Sequence, residues 1–144
     1  MNSALEFHDS TVASVEVVDG TLTIRFMVAY IHQSAGEPGI SPGEAYIQPA
    51  ALVFSGIDKA TAPFPKGTLS DGVIRVDGRE LRILQLPFAL QGAVEAEFRF
   101  ASGAVLTVSA TSVHCTTFGT PFWVEFFAGS SQHCLPAAAA AGGR

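Results

Sequence analysis

The 144 residues carry 13 Asp and Glu against 8 Lys and Arg, a net charge of −5, and 48% of them are hydrophobic while 15% are charged. A chain of this length and composition can bury roughly 68–70% of its unfolded surface in one domain, which excludes disorder and argues against two full domains. The basic residues stand singly, with no Lys/Arg stripe to neutralise phosphates, so nucleic acid and anionic membrane are poor partners.

Residues 1–9 contain Glu6 and Asp9 and no basic region followed by an unbroken apolar stretch, so a secretory leader is not expected. Apolar runs such as residues 47–54, interrupted by Gln48 and Pro49, fall short of the roughly 20 residues that cross a bilayer. Two cysteines in such a chain, Cys115 and Cys134, are expected as thiols in a reducing cytoplasm.

Ala13, Val15 and Val17 share one parity over residues 11–18. Leu22, Ile24, Phe26, Val28 and Tyr30 share one parity over residues 21–30, and both segments read as strands. Asp19-Gly20 between them suits a type I′ turn, whose two central residues need positive φ. Residues 33–44 hold three glycines and two prolines and predict a long surface loop. Residues 50–57 are apolar on both parities and predict a central strand covered on two faces. Residues 58–72 read as an extended bend around Pro63-Phe64-Pro65. A second Asp-Gly, Asp77-Gly78, joins residues 73–76 to residues 80–86, where Leu81 and Ile83 alternate with Glu80 and Arg82.

A third hairpin pairs Val94, Ala96, Phe98 and Phe100 with Leu106, Val108 and Ala110 across Ala101-Ser102-Gly103. Residues 121–127 are again apolar on both parities and are assigned to the centre of the sheet. Helix periodicity is nearly absent. The fold class is therefore all-β, an antiparallel β-sandwich or partly closed β-barrel built from sequential hairpins, with about eight to ten strands. A single domain is assigned to residues 1–135 and a flexible Ala/Gly tail to residues 136–144. The expected core is Leu22, Ile24, Phe26, Val28, Phe98, Phe100, Leu106 and Val108.

No motif has a fixed chemical meaning. His114-Cys115 and His133-Cys134 supply zinc-type ligands, but neighbours on a strand point to opposite faces, so no metal is assigned. Cys115 with His114 or His133 and Glu125 makes a nucleophilic set on paper only, and no Gly-x-Ser-x-Gly elbow or phosphate loop is present. No catalytic residue and no cofactor are expected. Glu95 and Glu97 share one strand face with Arg99, a pattern that most often means a solvated face. Eleven Phe and one Trp keep open a small-molecule carrier with an apolar barrel interior, although a filled core uses the same residues.

Phe7-His8-Asp9-Ser10, followed by an alternating hairpin, resembles the start of small bacterial all-β families, among them polymorphic-toxin immunity proteins. The resemblance covers residues 5–26, with a looser echo in Phe122-Trp123-Val124-Glu125-Phe126. It implies a non-enzymatic cytoplasmic protein that neutralises a toxin domain by binding it, and the acidic balance suits a basic partner. The candidate contact residues are Glu37, Glu44, Glu95 and Glu97, with His8 and Asp9, whose role can equally be to fix the entry to the first strand. The alternatives are the small-molecule carrier and a zinc protein using the His/Cys pairs; oligomeric state is left open.

Overall fold

The computed structural model describes residues 1–129. The proposed tail and the His133-Cys134 pair lie outside the described residues. Ten strands follow one another without a helix among the described residues: β1 (Asn2–Val18), β2 (Thr21–Ser34), β3 (Gly43–Ser55), β4 (Lys59–Ala60), β5 (Gly67–Val76), β6 (Arg79–Leu81), β7 (Ile83–Leu86), β8 (Phe88–Phe100), β9 (Val105–Thr117) and β10 (Phe122–Phe127).

Both Asp-Gly pairs are type I′ turns, with φ of 50° and 75° at Asp19 and Gly20 and of 52° and 83° at Asp77 and Gly78. The β1–β2 hairpin, that of β8 with β9, and strands β3 and β5 join into an antiparallel ring, β1-β2-β3-β9-β8-β5, which returns to β1. The molecule is thus a closed six-stranded barrel rather than a sandwich. The closing seam is short. Only Thr11↔Thr68 and Val12↔Gly67 pair across β1 and β5, and the two threonine hydroxyls meet at 3.2 Å. The remaining strands lie outside the ring, β4 on β9, β6 on β5, β7 on β1 and β10 on β3.

Phe7, Phe54 and Phe98 fill the middle of the barrel, with the Phe98 ring edge-on to the other two at 5.3 and 6.3 Å. Of the expected core residues, all but Val28 are buried. The β2–β3 register shifts between Phe26 and Ala29, so the inward parity passes from Phe26 to Ala29 and Ile31 and leaves Val28 and Tyr30 half-buried on the other side. A similar shift in β1 makes Val12 the core residue, while Val17 is exposed. Residues 80–86 form two strands, because Arg82 breaks the run where the chain leaves β5 for β1, and Leu84 rather than Ile83 is then buried. The segments expected to be irregular also hold more strand than anticipated: β2 runs to Ser34, β4 lies within residues 58–72, and β5 starts at Gly67.

The largest irregularity is in β1, where residues 7–10 stand opposite Ala29 alone, between the pairs Glu6↔Tyr30 and Thr11↔Val28. The buried Ser10 hydroxyl replaces the missing ladder bonds, accepting from the Tyr30 N–H at 2.9 Å and donating to the Glu6 carbonyl at 2.7 Å. Ser10, not His8 or Asp9, thus provides the side-chain to backbone bonds expected here. Ser10→Ala leaves both backbone groups unpaired and is expected to cost about 1–3 kcal/mol, read by urea denaturation. A loss within experimental error would show that the bulge holds itself without the hydroxyl.

Candidate functional site

The assignment of residues 121–127 to the centre is overturned. Among the described residues, strand β10 pairs on one side, with β3, and ends the sheet. Beyond Thr117, where β9 ends, the chain stays on β3: the Phe118 N–H donates to the Pro49 carbonyl, and β10 then pairs with residues 43–47. The barrel therefore closes along residues 50–55 of β3, while the first half of β3 and the end of β2 run past the ring and carry β10 as an outer edge. On this edge Phe122, Trp123, Val124 and Phe126 are 70%, 44%, 37% and 75% exposed. An apolar run that alternates in neither direction has the same sequence pattern whether it is buried on two faces or left at an edge.

Carboxylates border the apolar edge. The Trp123 indole N–H donates to Glu44 Oε1 at 2.9 Å, and the Trp123 ring packs edge-on against Phe126 with 5.3 Å between centroids. On the opposite face the Tyr30 hydroxyl donates to Glu125 Oε2 at 3.0 Å. Behind Tyr30, the buried His32 places Nε2 2.8 Å from Glu6 Oε1, and its ring packs edge-on against Phe127. His8 Nδ1 lies 3.3 Å from Asp9 Oδ2 and 3.7 Å from Glu6 Oε2. These sequence neighbours meet because Asp9 takes φ of 70° within the bulge rather than an extended conformation. Burial, reinforced by the hydrogen bond and charge of Glu125 and by the charges of Glu6 and Asp9, pushes the Tyr30 phenol up to about 12.

The predicted contact residues therefore fall into two places. Glu44, His8 and Asp9 border this acidic and aromatic corner. Glu37 sits exposed on the β2–β3 loop, whose Gly39 lies against His32. Glu95 and Glu97 belong to β8, which stands across the ring from β2. There Glu97 is in contact with Arg99, as the shared face predicts, and Glu95 pairs in register with Arg75. The aromatic members of the corner, Trp123 and Phe126, were missed as contact residues because their run was read as core.

His114 is exposed and Cys115 buried, on opposite faces of β9, and Glu125 is engaged by Tyr30, so among the described residues His114, Cys115 and Glu125 do not come together, while His133 lies outside the described residues. Among the described residues no group of three His, Cys, Asp or Glu is placed to hold a metal ion. Burial pushes the Cys115 thiol up to about 11. Folded pKa values above the unfolded ones mean that the native state keeps protons the unfolded chain has released, so stability is full below pH 9 and falls as pH rises to 11–12. The Cys115 part amounts to about 3 kcal/mol. Denaturation at pH 8 and pH 11 is expected to show this fall, and Cys115→Ala to show less of it; equal stabilities at the two pH values would refute it. No family model, curated protein or solved structure matches the chain.

Proposed function

We propose that the chain is a non-enzymatic binding protein that docks another protein along the β10 edge, in the manner of an immunity-type inhibitor holding a basic toxin domain. The observation that carries this reading is the edge itself: four large apolar side chains exposed on one strand of six residues. Monomeric proteins rarely leave such an edge bare, because its main-chain groups and side chains are a template for another chain. An added strand takes its affinity from main-chain hydrogen bonds and its selectivity from alternate side chains. Glu44 and Glu125 beside the apolar groups, with Glu6 and Asp9 behind them and a net charge of −5, select for a basic partner and speed its approach.

The test takes the C-terminal domain of the protein encoded directly upstream of this chain and measures its binding by calorimetry. Nanomolar affinity is expected, with Trp123→Ala and Phe126→Ala each weakening it about thirtyfold, the effect of losing about 2 kcal/mol at a hot spot. Reversing Glu44 and Glu125 to Lys slows association and flattens its salt dependence, whereas reversing Glu95 and Glu97, on the far side of the barrel, changes little. Binding that survives both aromatic truncations unchanged, or no binding at micromolar concentrations, would sink the proposal.

A further inference from the structure

The inner face of the splayed end of the barrel offers a second site, separate from the β10 edge. Where β2 and β3 run past the ring, inward-facing residues enclose an open pocket of about 530 Å³, within the range of roughly 300–1,000 Å³ typical of small-molecule sites. Ile31, Leu86 and Pro87 supply its apolar surface. Ser3, Gln33, Gln48 and Thr117 supply hydroxyls and amides, Ser3 and Gln33 being direct partners across β1 and β2. The Gln48 amide nitrogen donates to the Gly119 carbonyl at 2.9 Å, which fixes that side chain and leaves its oxygen to accept. Among the described residues, none that lines the pocket carries a formal charge and none is aromatic.

We propose that this mouth binds an uncharged, amphipathic small molecule, with hydrocarbon against Ile31, Leu86 and Pro87 and an amide or hydroxyl group against Gln33, Gln48, Ser3 and Thr117. A charged ligand would lose hydration there and meet no opposite charge. A sugar ring would find no aromatic face to lie on. The barrel's middle stays filled by its three phenylalanines, so the ligand sits in the end of the barrel and not in its interior.

Three probes of one shape separate these chemistries: 1-naphthamide, naphthalene and 1-naphthoate, titrated by NMR. The amide is expected to bind one-to-one at micromolar concentration, about tenfold tighter than naphthalene, with the carboxylate weakest. The double variant Gln33→Leu, Gln48→Leu removes the amide's advantage, and Thr117→Trp, at the rim, blocks all three probes. Location is read in the same titration: saturating 1-naphthamide is expected to shift the side-chain amide signals of Gln33 and Gln48, which line the pocket, and to leave the Trp123 indole signal in place. The proposal is overturned if 1-naphthoate binds tightest, if no probe binds below about 1 mM, or if binding shifts the Trp123 indole signal and leaves the Gln33 and Gln48 amides unmoved, which would place the probe on the exposed β10 aromatics.

Discussion

Phe98→Ala is expected to lower the free energy of unfolding by about 3–5 kcal/mol, through the lost transfer of the ring from water and the cavity it leaves. Phe98 is 1% exposed, and it is the ring that Phe7 and Phe54 both pack against. It joins β8 to β1 and β3, which reach it from different parts of the ring, so the space cannot close by moving one hairpin. For a domain of this size the loss corresponds to a fall in Tm of about 10–15 °C. Thr23→Ala, on the partly exposed parity of β2, is expected to stay within about 0.5 kcal/mol. Parallel thermal and urea denaturation of the two variants makes the comparison. A Phe98→Ala loss no greater than that of Thr23→Ala would mean that the barrel is not packed around this ring.

What could be read from the sequence follows from how local each signal is. Asp19-Gly20 and Asp77-Gly78 specify their turns alone, because both positions need positive φ and these residues tolerate it. The β8–β9 alternation is equally local, and Val94, Ala96, Phe98 and Phe100 all face inward as expected. Ring closure was not legible, since the β1–β5 seam rests on two residue pairs between segments more than fifty residues apart in sequence. The bulges were not legible either. Nothing around Phe26 or Ser10 in the sequence announces a shift, and each shift exchanges the inward and outward sets for the rest of its strand. That is why Val28 was misassigned and Ile31 overlooked.

The candidate site suffers from the same limit in a sharper form. Hydrophobicity shows that residues 122–127 seek cover but not what supplies it, and the double-sided pattern fits a buried strand and a docking edge equally well. Only the pairing shows that β3 is covered by β9 along one half and by β10 along the other, leaving β10 last in the sheet among the described residues. Glu44 and Glu125 then gain meaning from position. Each is bonded to an aromatic group of the edge corner, Trp123 or Tyr30, which holds its carboxylate beside the apolar surface.

Gly72→Val tests the packing from the opposite direction, by adding atoms. Gly72 pairs with Phe98 across β5 and β8, and a β-carbon at this position would stand 2.9 Å from both Phe7 Cγ and Phe98 Cδ1 and 3.0 Å from Phe7 Cβ. The Phe7 atoms belong to the root of a buried side chain, so they cannot swing aside as the end of a lysine could. Overpacking at the junction of the two rings is expected to cost about 3 kcal/mol, more than the roughly 0.5–1 kcal/mol gained by removing glycine's freedom from the unfolded chain. The two core variants should also interact. Once Phe98→Ala has emptied the space over β5, the Phe7 ring can move into it and the valine methyls fill part of the void. The double variant is then expected to be about 1–3 kcal/mol more stable than the sum of the two losses predicts. Strict additivity would show that the glycine does not make room for the rings. A large favourable coupling would show that the missing side chain at position 72 is what allows three aromatic rings to fit inside a six-stranded barrel.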